Sequence, residues 1–152
     1  MIIKDERDIP KKNKIKFTSQ ELVSYLYSII GESFPKAKII EDTLDSDNNN
    51  EKLTYVVHIK QYGAIFNAQL SAKDLIIPVF ISGGSSRWYG YTTYDLEIID
   101  NRNEYKTNKL TFNGEDDGKN WGGYSTAKKM LTNAFKQATD ALINYLVTNI
   151  SK

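Results

Sequence analysis

Two amphipathic helical patterns bracketing a run of alternating segments predict an α+β domain, with two helices packed on one face of an antiparallel sheet of three to five strands. Near the start, Leu22, Leu26, Ile29, Ile30 and Phe34 recur at helical spacing. Near the end, Ala127, Met130, Leu131, Ala134, Ala138, Leu142 and Leu146 do the same. Between them, Leu53–Ile59 and Trp88–Ile99 alternate with a period of two, the mark of strands with one face buried. Helices gathered on one side of hairpin-linked strands form a two-layer sandwich.

The elements follow in order. Residues 1–17 are polar, carry Pro10, and read as a flexible leader before a single domain over 18–152. Thr18-Ser19-Gln20-Glu21 has the capping-box form, so a helix over 18–33 opens there and Pro35 stops it. Ala37, Ile39 and Ile40 suggest a short strand, and 42–51 is a polar surface turn. In the strand beginning at Leu53, Gly63 is the expected bulge before Ala64-Ile65-Phe66. Leu75–Ile81 contains Pro78 and reads as an edge strand or extended loop, and Ser82–Ser86 as a link. Residues 88–99 and 105–112 should pair through turn chemistry at Asp100–Asn103. Asn113–Tyr124, rich in Gly and Asp, reads as a loop. The last helix is expected over 125–149, with alanines at 127, 134, 138 and 141 letting it lie close to the sheet.

The chain has 152 residues, enough to bury about 70% of its unfolded surface without a disulfide or metal staple. It has no cysteine, which excludes thiol catalysis and thiolate zinc sites. Lys and Arg number 20 against 19 Asp and Glu, so no global field points to nucleic acid. The basic run Lys11–Lys16 is offset by Asp5, Glu6 and Asp8 and reads as a solvated leader. No apolar stretch reaches the length of a membrane helix, and no signal peptide is visible.

No catalytic, metal or cofactor site is expected. His58 is the only histidine and alternates away from the apolar face, toward solvent. An enzyme would need it to work with Asp95 or Glu97, yet no nucleophile signature accompanies it. Asp45, Asp47, Asn49 and Glu51 resemble a calcium loop, but Asn50 takes the glycine position and Val56 the position of the closing glutamate. Glu115-Asp116-Asp117 is a second acidic group, read as a solvated turn.

The aromatic residues are the expected contact surface. Arg87, Trp88, Tyr89 and Tyr91, with Trp121 and Tyr124, should gather at one end of the sheet, because the hairpin returns its second strand beside Trp88. Alternation puts Tyr89 and Tyr91 on the face opposite Trp88, outside the main core. Trp, Tyr and Arg are the residue types that dominate interface energetics. The bland alternative is that these rings seal one end of the core.

Three stretches carry a resemblance: the helix-to-strand passage Ser19–Ile40, Gly83-Gly84-Ser85-Ser86 running into Tyr91–Asp100, and Tyr124-Ser125-Thr126-Ala127 opening a helix that ends at Leu146–Ile150. Over roughly 18–150 this pattern resembles the globular domains of small Gram-negative cell-envelope lipoproteins. Among these are the auxiliary lipoproteins of lipid-transport ABC systems and the curli-secretion lipoprotein. The resemblance implies a non-enzymatic binding or assembly module in the periplasm or at the inner face of the outer membrane. It implies a protein partner or self-association, and membrane contact only through a lipid anchor on a removed segment. The alternatives are a small-ligand or lipid carrier with a cavity between helices and sheet, an enzyme using His58, and a cytoplasmic location.

Overall fold

The computed structural model describes residues 1–7, 18–36, 40–41, 53–67, 87–100, 108–120 and 123–150. Strand β1 (Ile2–Asp5) leads to helix α1 (Ser19–Ser33) and a two-residue strand β2 (Ile40–Glu41). Strands β3 (Leu53–Asn67), β4 (Arg87–Asp100) and β5 (Asn108–Lys119) follow, and helix α2 (Tyr124–Ile150) closes the chain. The sheet order is β2-β1-β3-β4-β5. Both helices cover one face, as expected: Leu22, Leu26 and Ile30 of α1 share a core with Phe135, Ala138, Leu142 and Leu146 of α2.

Helix α1 begins where its sequence dictates. The Thr18 hydroxyl accepts from the Glu21 amide at 3.2 Å, and the Thr18 amide donates back to Glu21 Oε2 at 2.9 Å. This reciprocal box satisfies two of the backbone donors a helix start leaves open.

The sheet is mixed, where a wholly antiparallel one was expected. Strands β3, β4 and β5 are antiparallel neighbours, but β1 lies parallel to both β2 and β3. The reading of residues 1–17 as a leader is therefore corrected at 2–5. Ile3 is buried in the core, and the charges that made this segment look solvated answer one another. Arg7 grips Asp5 through two contacts of 2.7 Å, with both side chains almost fully buried. Burial would raise the Asp5 carboxyl, but hydrogen bonds from Arg7 and Ser19 outweigh it and lower it.

Two glycine-based expectations also change. The bulge in β3 lies between Ile59 and Gln61, not at Gly63. Ile59 pairs with Tyr94 and Gln61 with Thr93, so Lys60 is the extra residue. It shifts the alternation by one: Val57 and Ile59 face the helices before it, Tyr62 and Ala64 after it. Likewise β5 runs through the expected loop, with Gly118 opposite Trp88 and Gly114 opposite Thr92. These glycines mark places where α2 meets the sheet backbone. A Cβ on Gly114 would land on the Ala134 carbonyl, and one on Gly90 on the backbone of Met130. Ala127, Ala134 and Ala138 line the same contact and are fully buried, whereas Ala141 is exposed.

The expected edge strand at 75–81, the link at 82–86, the calcium-like residues 45–51, the turn at 101–103 and the basic run 11–16 lie outside the described residues.

Candidate functional site

The two helices touch each other only lightly, and between them a half-open cleft of about 470 Å³ reaches the sheet. Its apolar lining is Leu22, Tyr25 and Ile29 from α1, Tyr62 from β3 and Phe135 from α2. Phe135 sits at the centre of an aromatic group. Tyr25 stacks on it with ring centroids 5.3 Å apart, and Tyr62 meets it edge-on at 5.8 Å. Tyr94 meets it edge-on from below at 6.2 Å and joins its hydroxyl to that of Thr139 at 3.2 Å. Burial pushes the Tyr62 hydroxyl up to about 12, so it stays protonated at any physiological pH. The polar lining is Glu21, Thr132, Lys136, Thr139 and Asp140. A few placed polar groups around an aromatic wall, at a volume between about 300 and 1,000 Å³, is the usual make-up of a small-ligand pocket.

The expected aromatic surface is divided by the sheet. Trp88 points toward α2 and is buried against Ala127, Met130 and Leu131, with its ring nitrogen donating to Asn120 Oδ1 at 3.0 Å. Phe66 and Tyr124 flank it, with centroids 5.0 and 6.1 Å away. Tyr124 is 62% exposed and Phe66 40%. Tyr89 and Tyr91 do lie on the other face, as alternation demands, but their expected exposure is corrected: they are only 5% and 7% exposed. Arg87 is tied to the Asp117 carboxylate. Trp121 lies outside the described residues. The structure thus brings Trp88 and Tyr124 together and sets Tyr89 and Tyr91 apart from them.

The outer face of the sheet carries a charged network around His58. Its Nδ1 lies 2.8 Å from Glu6 and its Nε2 3.0 Å from Glu97. An ionised carboxylate only accepts, so both contacts are hydrogen bonds when both ring nitrogens carry protons. Both ring nitrogens are thus engaged by carboxylates of the outer-face network. Asp95 is held separately, by the Thr111 hydroxyl at 2.7 Å and Lys109 at 3.0 Å. The acidic group expected as a turn, Glu115-Asp116-Asp117, is part of β5; Asn133 donates to Asp116 and Arg87 holds Asp117. No group of three metal-binding side chains forms among the described residues.

Glu6 makes this network testable. The Lys60 ammonium at 2.5 Å and the His58 ring hold its carboxyl down to about 2, against an ordinary 4.5. A depressed pKa stabilises the fold fully above the unfolded value, and that contribution is lost as pH falls toward the folded one. Urea midpoints of the wild type should therefore drop between pH 4.5 and about 2 more steeply than those of Glu6→Gln. Parallel curves would show that the contacts have no energetic weight.

These features define a two-layer α+β domain with a half-open aromatic cleft between its helices. No family model and no curated protein matches the sequence. Among solved structures, the chain is similar to a minor lipoprotein from Acinetobacter baumannii, at 13% identity and a TM-score of 0.46, covering 99% of this chain and 91% of that one. It is similar to a provisionally named lipoprotein from Caulobacter crescentus CB15, at 10% identity and a TM-score of 0.45, covering 98% and 90%. A hypothetical protein, CT253 from Chlamydia trachomatis, gives 10% identity and a TM-score of 0.49, covering 97% and 98%. At these values the likeness is one of outline.

The cleft was the part least visible in the sequence. Tyr25 sits at the margin of the first apolar stripe, and Lys136 and Asp140 read as solvated helix positions. The available signal was the pairing of Glu21 with Tyr25 one turn apart on α1, facing Phe135 on α2.

Proposed function

We propose that this chain is a non-enzymatic binding domain that holds a small amphipathic ligand in the cleft between α1 and α2. One observation carries the reading: Tyr25, Tyr62 and Phe135 form a continuous aromatic wall in a cleft open to solvent. Phe135 is itself buried, but Tyr62 is only half-buried and Tyr25 remains 59% exposed, so the wall keeps apolar surface that a ligand gains by covering. Of the functions weighed from the sequence, this favours the carrier. The His58 contacts give no support to an enzyme. A cell-envelope setting is the part of the proposal that the sequence resemblance supplies, and recovery of the full-length protein in the cytoplasmic fraction would remove it.

The test is a titration of isotopically labelled protein with decyl maltoside, an uncharged single-chain amphiphile, below its micelle concentration. Saturable shifts at Tyr25, Tyr62 and Phe135 are expected. Absence of saturation, or shifts confined elsewhere, would overturn the cleft as a ligand site. A second reading, contact with a protein or a second copy, rests on the ring series Phe66–Trp88–Tyr124 with its two exposed ends. The same labelled protein reports it in a dilution series. Concentration-dependent shifts at Phe66 and Tyr124 that vanish in Tyr124→Ser support it, and invariant spectra remove self-association.

A further inference from the structure

We propose that the cleft selects ligands whose apolar body carries an ammonium head, and that Glu21, Asp140 and the open face of Tyr25 recognise that head. This rests on the cleft being a ligand site and adds the chemistry of what it takes.

Among the described residues, the lining carries two carboxylates, Glu21 and Asp140, against one ammonium, Lys136, and so has a net negative charge. Glu21 is fixed in place by the capping box. Its Oε2 accepts from the Thr18 amide and hydroxyl at 2.9 and 2.8 Å, while its other oxygen makes no hydrogen bond among the described residues. The Thr18 amide, and then its hydroxyl, keep this carboxyl below the usual range, so it is ionised at neutral pH. Among the described residues, neither Asp140 nor Lys136 has a hydrogen bond or an ion pair. The two are one turn apart, with the cation preceding the anion, the weaker order for a helical pair. Both therefore keep their full capacity for a ligand.

The aromatic side of the opening points the same way. Tyr25 stacks one face on Phe135 yet remains 59% exposed, which leaves its other face toward solvent. A ring presented in this way attracts a cation over its face. Glu21 and Tyr25 are four residues apart and share one side of α1. An ammonium near them meets a carboxylate and a ring face together, with Asp140 across the cleft. Among the described lining residues an anionic head finds Lys136 alone and must lie beside two carboxylates to reach it. A zwitterionic head can use all three groups, its ammonium on the carboxylates and its anion on Lys136.

Calorimetric titration with four probes of one tail length tests this: decyltrimethylammonium, decylphosphocholine, decyl maltoside and decyl sulfate, each below its micelle concentration. The two ammonium probes are expected to bind about 5-fold tighter than the maltoside, the size of a partly exposed ion pair, and the sulfate more weakly than the maltoside. Added salt should shrink these differences. The double variant Glu21→Gln, Asp140→Asn should bring the ammonium probes level with the maltoside. Glutamine keeps the capping-box form, so the helix start survives. A phosphocholine preference over trimethylammonium supports a zwitterionic headgroup as source, and the reverse order supports a free amine. Equal binding of all four probes, or an order that the double variant leaves unchanged, overturns the head-group proposal while the cleft stands. Binding by none of them overturns both.

Discussion

Gly114→Ala is expected to lower the urea midpoint of this domain sharply, at a cost of about 3 kcal/mol, the upper end for overpacking a filled core. The added methyl would fall on the Ala134 carbonyl and within 2.8 Å of the Ala138 amide nitrogen. Both are main-chain atoms in the middle of α2, so no rotamer change relieves the clash. Helix and strand would have to separate, loosening Ala134 and Ala138 along a contact that is otherwise fully buried. Gly90→Ala meets the Met130 and Leu131 backbone and should behave alike. Gly118→Ala supplies the internal control. Its methyl would meet the Met130 thioether at 2.9 Å, the end of a flexible side chain that can move aside. There the cost is offset by the roughly 0.4–1 kcal/mol gained when alanine restricts the unfolded chain. Equilibrium unfolding of the three variants checks the order. If Gly114→Ala unfolds at the wild-type urea concentration, α2 does not lie on the strand backbone.

Phe135 should show the second large effect, because it serves the core and the cleft together. Phe135→Ala removes a ring that touches Tyr25, Tyr62 and Tyr94, and the loss should be about 3 kcal/mol or more. A folding defect of that size would obscure any effect on binding, so Phe135→Leu is the informative partner. Leucine keeps most of the buried volume and forfeits the ring contacts, worth about 0.5–1.5 kcal/mol each. The fold should persist while affinity for decyl maltoside falls, with Tyr25 freed from its stack. Wild-type affinity in Phe135→Leu would mean that the aromatic wall is not what the ligand contacts.

Elements that depend on neighbouring residues were legible in the sequence. The capping box at Thr18 and Glu21 marks the first turn of α1 because both partners lie within four residues of each other. The stripe of α2 is visible because helical spacing repeats over many turns. Strand β4 is visible because Tyr94, Leu96 and Ile98 alternate with Thr93, Asp95 and Glu97. The clearest misreadings involve glycine and charge. Gly114 and Gly118 look like loop signals, since glycine frees a backbone for turns and also lets another backbone approach; only the position of α2 selects between these uses. Asp5 and Arg7 look solvated, since burial of a charge depends on a partner that holds it.

The sequence by itself determined which segments are helical, that β4 and β5 form an antiparallel hairpin, and that both helices share one face. It also determined that no cysteine chemistry is possible. These follow from periodicity and residue type, which are local. The tertiary structure decided the rest: β1 parallel between β2 and β3, the parity change at Lys60 that turns Tyr62 toward the helices, and the burial of Tyr89 and Tyr91. It also decided the cleft, which is made by three elements brought together across the chain. Phe135 reads as one more apolar helix residue until Tyr25 and Tyr62 stand around it. A cavity is set by how far packed elements stand apart, and that separation depends on side-chain volumes summed across contacts that no local pattern records.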